Sequence, residues 1–310
     1  MRADTSRYLD LAQLRSRRIL VPLAAWLVAL GREDWIDGSY IALVLLSIGL
    51  GVYWTARLME NRGLSAMWGA VFLAMPSTLI ALDRMAVDGP FTTLFAGFFL
   101  YCEEKKWKWA WLLAGLATLT RETGLFLVAG LAAVQLFQRN WRRAAWFAAS
   151  AVPAAFWFTY LHFTLPAEAV VHFLPVPGLG LIQRLPLVRP YPLSRFQTLV
   201  QITDFLAVVG LMACIYIALR ANWNRRWDPA SLASGLFALL ATFFGPAVMI
   251  ESYGYSRLVS PMLLWILVAG VTQRSWLRIA APLMLTLSAG ILYFDPLLRI
   301  LRALREAVFR

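Results

Sequence analysis

Leu119-Thr120-Arg121-Glu122-Thr123-Gly124 sets a cation beside an anion between two apolar stretches, 109–119 and 125–137, that carry no charge of their own. Ionisable side chains next to hydrocarbon are costly, so they face a bundle interior, a water-filled cavity or the interface. Two readings follow from the spacing. Either this is a charged interhelical turn in which Arg121 and Glu122 neutralise each other, or Arg121 faces a buried site and meets an anion there.

The surroundings of the hexapeptide are those of a membrane protein. The 310 residues are 60% hydrophobic, against about 45–50% apolar residues in soluble domains. The apolar residues come in successive blocks of roughly 14–22, close to the length that crosses a bilayer. The expected fold is therefore all-α, a polytopic helical bundle. The net charge of +12 would suggest nucleic acid in a soluble chain. Here much of the excess lies in short connectors, where it reports topology, and no nucleic-acid motif is present. Cys102 and Cys214 fall inside apolar spans and predict neither a disulfide nor a metal site. The two histidines, His162 and His172, lack ligand spacing. The opening Met1-Arg2-Ala3-Asp4 is polar and does not read as a cleavable signal peptide.

Residues 1–38 read as an amphipathic preface. Asp4 can cap a helix through Tyr8, Leu11 and Leu14 that ends on Arg15, Arg17 and Arg18, an order that suits the helix dipole. Residues 19–30 are apolar but short and contain Pro22, which predicts an interfacial or re-entrant helix. A polar turn over 31–38 carries Glu33, Asp34 and Asp37. A transmembrane domain follows over 39–294, with about ten spans. These are 39–58, 64–82, 87–102, 107–120, 124–137, 145–163, 201–219, 229–250, 258–272 and 279–294. The fourth and fifth are short enough to form a hairpin that does not fully cross. The one long non-spanning segment is 165–200, rich in proline, with aromatic and basic residues that suit an acceptor or lid surface.

Basic connectors alternate with the rest. Those at 57–63, 103–108, 138–144, 220–228 and 273–278 hold a Lys/Arg excess, and 83–90, 120–124, 165–200 and 251–257 lie between them. The positive-inside rule makes the first set cytoplasmic and puts Asp83, Asp88, Arg121, Glu122, His172, Arg184, Glu251 and Arg257 on the outer side. The tail 295–310, with Arg299, Arg302, Arg305 and Arg310, breaks the pattern. It reads as an amphipathic helix on the membrane surface, or else the last span is misplaced.

Carboxylates on that outer face can supply a general base or ligate a cation, and arginines bind phosphate in two-pronged fashion. Each residue also has a plainer reading. Asp4 can be only a helix cap, Asp83 and Asp88 can be turn residues before Pro90, and Arg257 can be an interfacial anchor.

Asp4-x-x-x-Tyr8, Arg18-Ile19-Leu20-Val21-Pro22, Asp88 ahead of a span, Leu119-Thr120-Arg121-Glu122 and Tyr255-Ser256-Arg257 occur in an order that resembles the GT-C superfamily. These are multi-spanning glycosyltransferases that use polyprenyl-phosphate sugar donors on the outer side of the membrane. The Leu-Thr-Arg-Glu stretch is the most specific element. The resemblance implies that Asp4 is the essential acid of the first outer loop and acts as base, with Asp88 orienting the site or holding a divalent cation. It implies donor-phosphate contacts from Arg121, Arg257 and Arg18, with Glu122, Tyr8 and Asp83 in support. It also implies a spanning helix ahead of Asp4, which this sequence, starting inside the loop, lacks.

The expected activity is transfer of a sugar from a polyprenyl phosphate to a glycan, lipid or protein acceptor. The expected location is a bacterial inner membrane, with membrane lipids as partners and no nucleic acid. The competing expectation is a lipid or glycan transporter lined by the same charges, and a third is a polymerase or ligase of surface glycans.

Overall fold

The computed structural model describes residues 16–165, 173–186, 197–223 and 228–291. Among them the chain is helical, and its one strand-like feature is an isolated bridge between Phe173 and Phe244. The expected helix capped by Asp4, with Tyr8, lies outside the described residues, as do His172, Arg189, Arg195 and the tail 295–310.

Helix α1, Leu20–Val28, is the short apolar helix expected over 19–30. Helix α2, Glu33–Glu60, starts earlier than predicted and absorbs most of the polar turn. Glu33 and Asp34 lie in its first turn, where the helix dipole favours negative charge. The predicted span 64–82 is two helices, a 3-10 helix Ala66–Ala74 and α3, Pro76–Arg84, bent by 61°. Pro76 supplies no backbone N–H and opens the second helix at its first turn.

Helix α4, Asp88–Glu103, is buried around nearly its whole circumference, the mark of a central helix. Helix α2, α3 and α5, Trp107–Thr120, pack around it. A 3-10 turn Glu122–Gly124 leads into α6, Leu125–Phe137. Gly124 makes this hairpin possible, because a Cβ there would collide with the backbone of Ala117 and Thr118. Next come α7, Trp141–Ala148, a 3-10 turn Ala149–Ala151, and α8, Val152–Thr164. Helix α9, Leu179–Arg184, belongs to the long connector.

Helix α10, Gln197–Trp223, and α11, Pro229–Thr242, follow. The predicted span 229–250 ends at Thr242, since Pro246 starts a separate short helix α12, Pro246–Met249. Helices α13, Ser252–Leu258, and α14, Ser260–Gln273, meet at a 72° bend, with Pro261 at the start of α14. The last is α15, Trp276–Ile291.

Three described helical stretches are long and apolar enough to cross a membrane: α2, Trp141–Thr164 and α10. The count is five if each bent pair is one span. This is compatible with a membrane protein. Against the ten expected spans, the helices over 88–103, 107–120, 125–137 and 276–291 are too short to count, and prolines cut the blocks 64–82 and 229–250 into shorter pieces.

Connectors of like composition gather at opposite ends of the bundle. At one end Asn61 donates to Glu104, and Arg62 reaches both Glu103 and the Thr272 hydroxyl. There the Lys106 and Asn61 side chains bonded to Glu104 hold its carboxyl below the ordinary range. The connectors around Asp88, Arg121 and Arg257 meet at the other end.

Candidate functional site

Asp88 stands in the first turn of α4, and its side chain is 1% exposed. Its carboxylate forms an ion pair with the Arg121 guanidinium, itself 4% exposed, and Arg257 Nη1 lies 3.8 Å away on the other oxygen. Arg121 can reach there because it is the extended residue between α5 and the 3-10 turn, so its side chain leaves the hairpin sideways. Its amide still donates to the Ala117 carbonyl at 2.9 Å, and its own carbonyl accepts from Gly124 at 2.9 Å. The hairpin tip is thus a fixed backbone platform. Helix α13 brings Arg257 to the same carboxylate.

Arg121 therefore meets an anion at a buried site, but that anion is Asp88 and not its neighbour Glu122. Glu122 turns to Arg18, whose Nε lies 3.8 Å from it. Arg18 is placed by the residues before α1, where the Ser16 carbonyl accepts from the Trp157 indole at 2.9 Å.

Arg17, Arg18, Arg121, Glu122 and Arg257 line one side of a cleft of about 630 Å³. Across from them stands an apolar wall, with Phe126 from α6, Leu240 and Phe244 at and just past the end of α11, and Val248 from α12, and Glu251 and Tyr253 also line the cleft. Below Phe126 the rings of Phe91, Phe95 and Phe237 close the interior, with Phe126 and Phe237 centroids 5.0 Å apart in an edge-to-face contact. Among the described residues, Glu122 Oε1 and Thr123 Oγ1 are buried oxygens with no hydrogen-bond partner. A cleft with several cations, partner-poor oxygens and an apolar wall can hold an amphiphile with an anionic head.

The other residues named from sequence fall in different places. Asp83 pairs with Arg84 at 3.3 Å and does not line the cleft. Asp4 and Tyr8 lie outside the described residues. Asp88 is held by arginines, and no cluster of three potential metal ligands occurs among the described residues.

Sequence reasoning missed Tyr253 and Asp204. Tyr253 lines the cleft and has Arg84 at 4.8 Å and Arg257 at 6.0 Å from its ring centre, so it steadies Arg257 beside Asp88. Asp204, inside the apolar helix α10, pairs with Arg184 of α9, and Arg184 Nε also donates to the Met249 carbonyl at 2.9 Å. A lone carboxylate in an apolar span was the signal, since it requires a partner. This pair ties the connector segment 173–186 to the cleft rim. Leu174 and Gly178 amides donate to the Phe243 and Thr242 carbonyls at 2.8 and 2.6 Å. Gly180 lies so close to the Phe244 carbonyl that a Cβ would not fit.

Comparison with known proteins finds no matching family model, no matching curated protein and no matching solved structure.

Proposed function

We propose that this protein is a membrane glycosyltransferase that moves one sugar from a polyprenyl phosphate to an acceptor hydroxyl. The observation that carries the reading is the cleft, with an arginine cluster organised on buried Asp88 facing an apolar wall. A polyprenyl-phosphate sugar has matching chemistry, an anionic phosphate on a hydrocarbon chain. In an inverting transfer the acceptor oxygen bonds to the sugar carbon as the bond to the phosphate oxygen breaks. Arg121 and Arg257 then face the charge that develops on the departing phosphate. Asp88 acts through them as a positioning residue. Asp4 is the proposed base.

The proposal extends to a GT-C-like bundle of about ten spans in a bacterial inner membrane, with the cleft on the outer face. The alternation of basic and non-basic connectors supports it.

The transporter reading draws on a second cleft at the opposite end of α4. The buried rings of Phe91, Phe95 and Phe237 stand between the two and favour the enzyme. Reconstitution decides between them. Purified protein in liposomes, given polyprenyl-phosphate mannose or arabinose and an acceptor extract, is expected to yield glycosylated product. Movement of the donor lipid between leaflets without product would replace the enzyme with the transporter.

A further inference from the structure

Three polar atoms in the cleft beside Arg121 are buried without hydrogen bonds. Glu122 Oε1, Thr123 Oγ1 and Arg18 Nε have no hydrogen-bond partner among the described residues, and all three residues line the cleft. Glu122 and Thr123 are consecutive in the 3-10 turn, and Arg18 Nε lies 3.8 Å from the Glu122 carboxylate. Buried polar atoms are paired in the great majority of cases, so three unpaired ones side by side point to a missing partner.

The Arg18–Glu122 ion pair does not supply it, since 3.8 Å is too long for a hydrogen bond. Elsewhere the chain closes such a pair, as where Arg62 Nη2 reaches Glu103 at 2.8 Å. Glu122 and Thr123 ride on a tip whose backbone is fixed by the close packing of Gly124 on Ala117 and Thr118. An open gap between a guanidinium and a carboxylate, with a hydroxyl next to it, fits a group that both donates and accepts. One oxygen can lie about 2.8 Å from both atoms of the gap at once. A hydroxyl there donates to Glu122 and accepts from Arg18, and a neighbouring hydroxyl can pair with Thr123. A phosphate oxygen would face the Glu122 charge, and an ammonium group would face Arg18. Vicinal sugar hydroxyls meet neither conflict.

We infer that Arg18, Glu122 and Thr123 form a sugar subsite, in which Glu122 reads the hydroxyl beside the anomeric carbon of the donor. This rests on the proposed transfer reading, which puts the donor phosphate on Arg121 and Arg257. Glu122 and Thr123 directly follow Arg121 in the chain, and Arg18, Arg257 and Glu122 all act electrostatically on Arg121. The part of the sugar next to the phosphate is therefore the part that this tip meets. A donor lacking that hydroxyl leaves the carboxylate unpaired, and a site built around a hydroxyl rejects such an analogue.

Calorimetric titration of the full chain in detergent, without acceptor, tests this. The probes are polyprenyl-phosphate mannose, its 2-deoxy analogue and bare polyprenyl phosphate. The mannose lipid is expected to bind about tenfold more tightly than the 2-deoxy lipid. Glu122→Gln is expected to bring the mannose lipid down to its 2-deoxy analogue, and to leave that analogue's affinity relative to bare lipid unchanged. A purely structural role for Glu122 would not separate the two sugars. Thr123→Val, which leaves the Arg18–Glu122 pair in place, is expected to weaken the mannose lipid about threefold relative to bare lipid. Equal binding of the mannose and 2-deoxy lipids, or an unaltered preference in a folded Glu122→Gln protein, overturns the inference while bare-lipid binding leaves the phosphate site standing. Should Glu122→Gln not fold, an unchanged mannose-lipid affinity in Thr123→Val does the same. Failure of all three lipids to bind overturns the transfer reading and this subsite with it.

Discussion

Asp88 and Arg121 pair across the interface of α4 with the α5–α6 hairpin, and both are almost wholly buried. Arg257 approaches the same carboxylate from α13, so a single anion organises two cations from distant parts of the chain. Removing the anion leaves charge buried without its partner. Asp88→Ala is therefore expected to cost about 3–5 kcal/mol of stability, measured as a lowered thermal midpoint in detergent. Asp88→Ala with an unchanged midpoint would show that the pair is solvated.

Arg121→Lys separates positioning of the phosphate from maintenance of the fold. Lysine keeps the charge that Asp88 needs but loses the planar fork that grips two oxygens. The expected outcome is a thermal midpoint close to the parent and transfer lowered at least about tenfold. Parental transfer by the Lys variant would confine Arg121 to a structural role.

The hairpin itself is tested at Gly124. An added Cβ there meets backbone atoms of Ala117 and Thr118, which cannot rotate away as a side chain would. Gly124→Ala is expected to destabilise by about 1–3 kcal/mol through overpacking. Because the tip carries Arg121, transfer should fall with it, and calorimetry beside an activity assay reads both. A neutral effect on each would mean that the hairpin can open at no cost.

Arg184→Gln is expected to release segment 173–186 from the cleft rim. The change removes the Arg184 charge that pairs with Asp204 of α10 and an Nε–H bond to the Met249 carbonyl. Faster amide hydrogen exchange at Leu174 and Gly178, whose amides bond to Phe243 and Thr242, is the readout. Unchanged exchange would show that those backbone bonds hold the segment by themselves.

Asp4→Asn tests the proposed base. Asparagine caps a helix about as well as aspartate, so expression and donor binding should persist while transfer falls by roughly 10²–10⁴-fold. The carboxylate comparison is Glu251→Gln, since Glu251 lines the cleft. Loss of transfer in Glu251→Gln with none in Asp4→Asn would move the base to Glu251.

The sequence by itself determined the helical class and the two sets of connectors, and it singled out Arg121. These follow from local quantities: apolar runs set helices, and charge is excluded from them except at ends. The hairpin limits 107–120 and 124–137 were legible because Lys106, Arg121 and Gly124 punctuate uniform apolar runs. The breaks at Pro76 and Pro246 were less legible, since an apolar block does not say whether a proline opens a new helix or is carried within one. What only the tertiary structure decided was partnership. In sequence Arg121 adjoins Glu122, yet its backbone leaves α5 extended and points the side chain to Asp88, while Glu122 turns to Arg18. Likewise Arg184 and Asp204 become one device only when α9 is laid against α10 and α12. Pairing of buried charges depends on which helix ends meet, and that is fixed by packing of the whole bundle around α4.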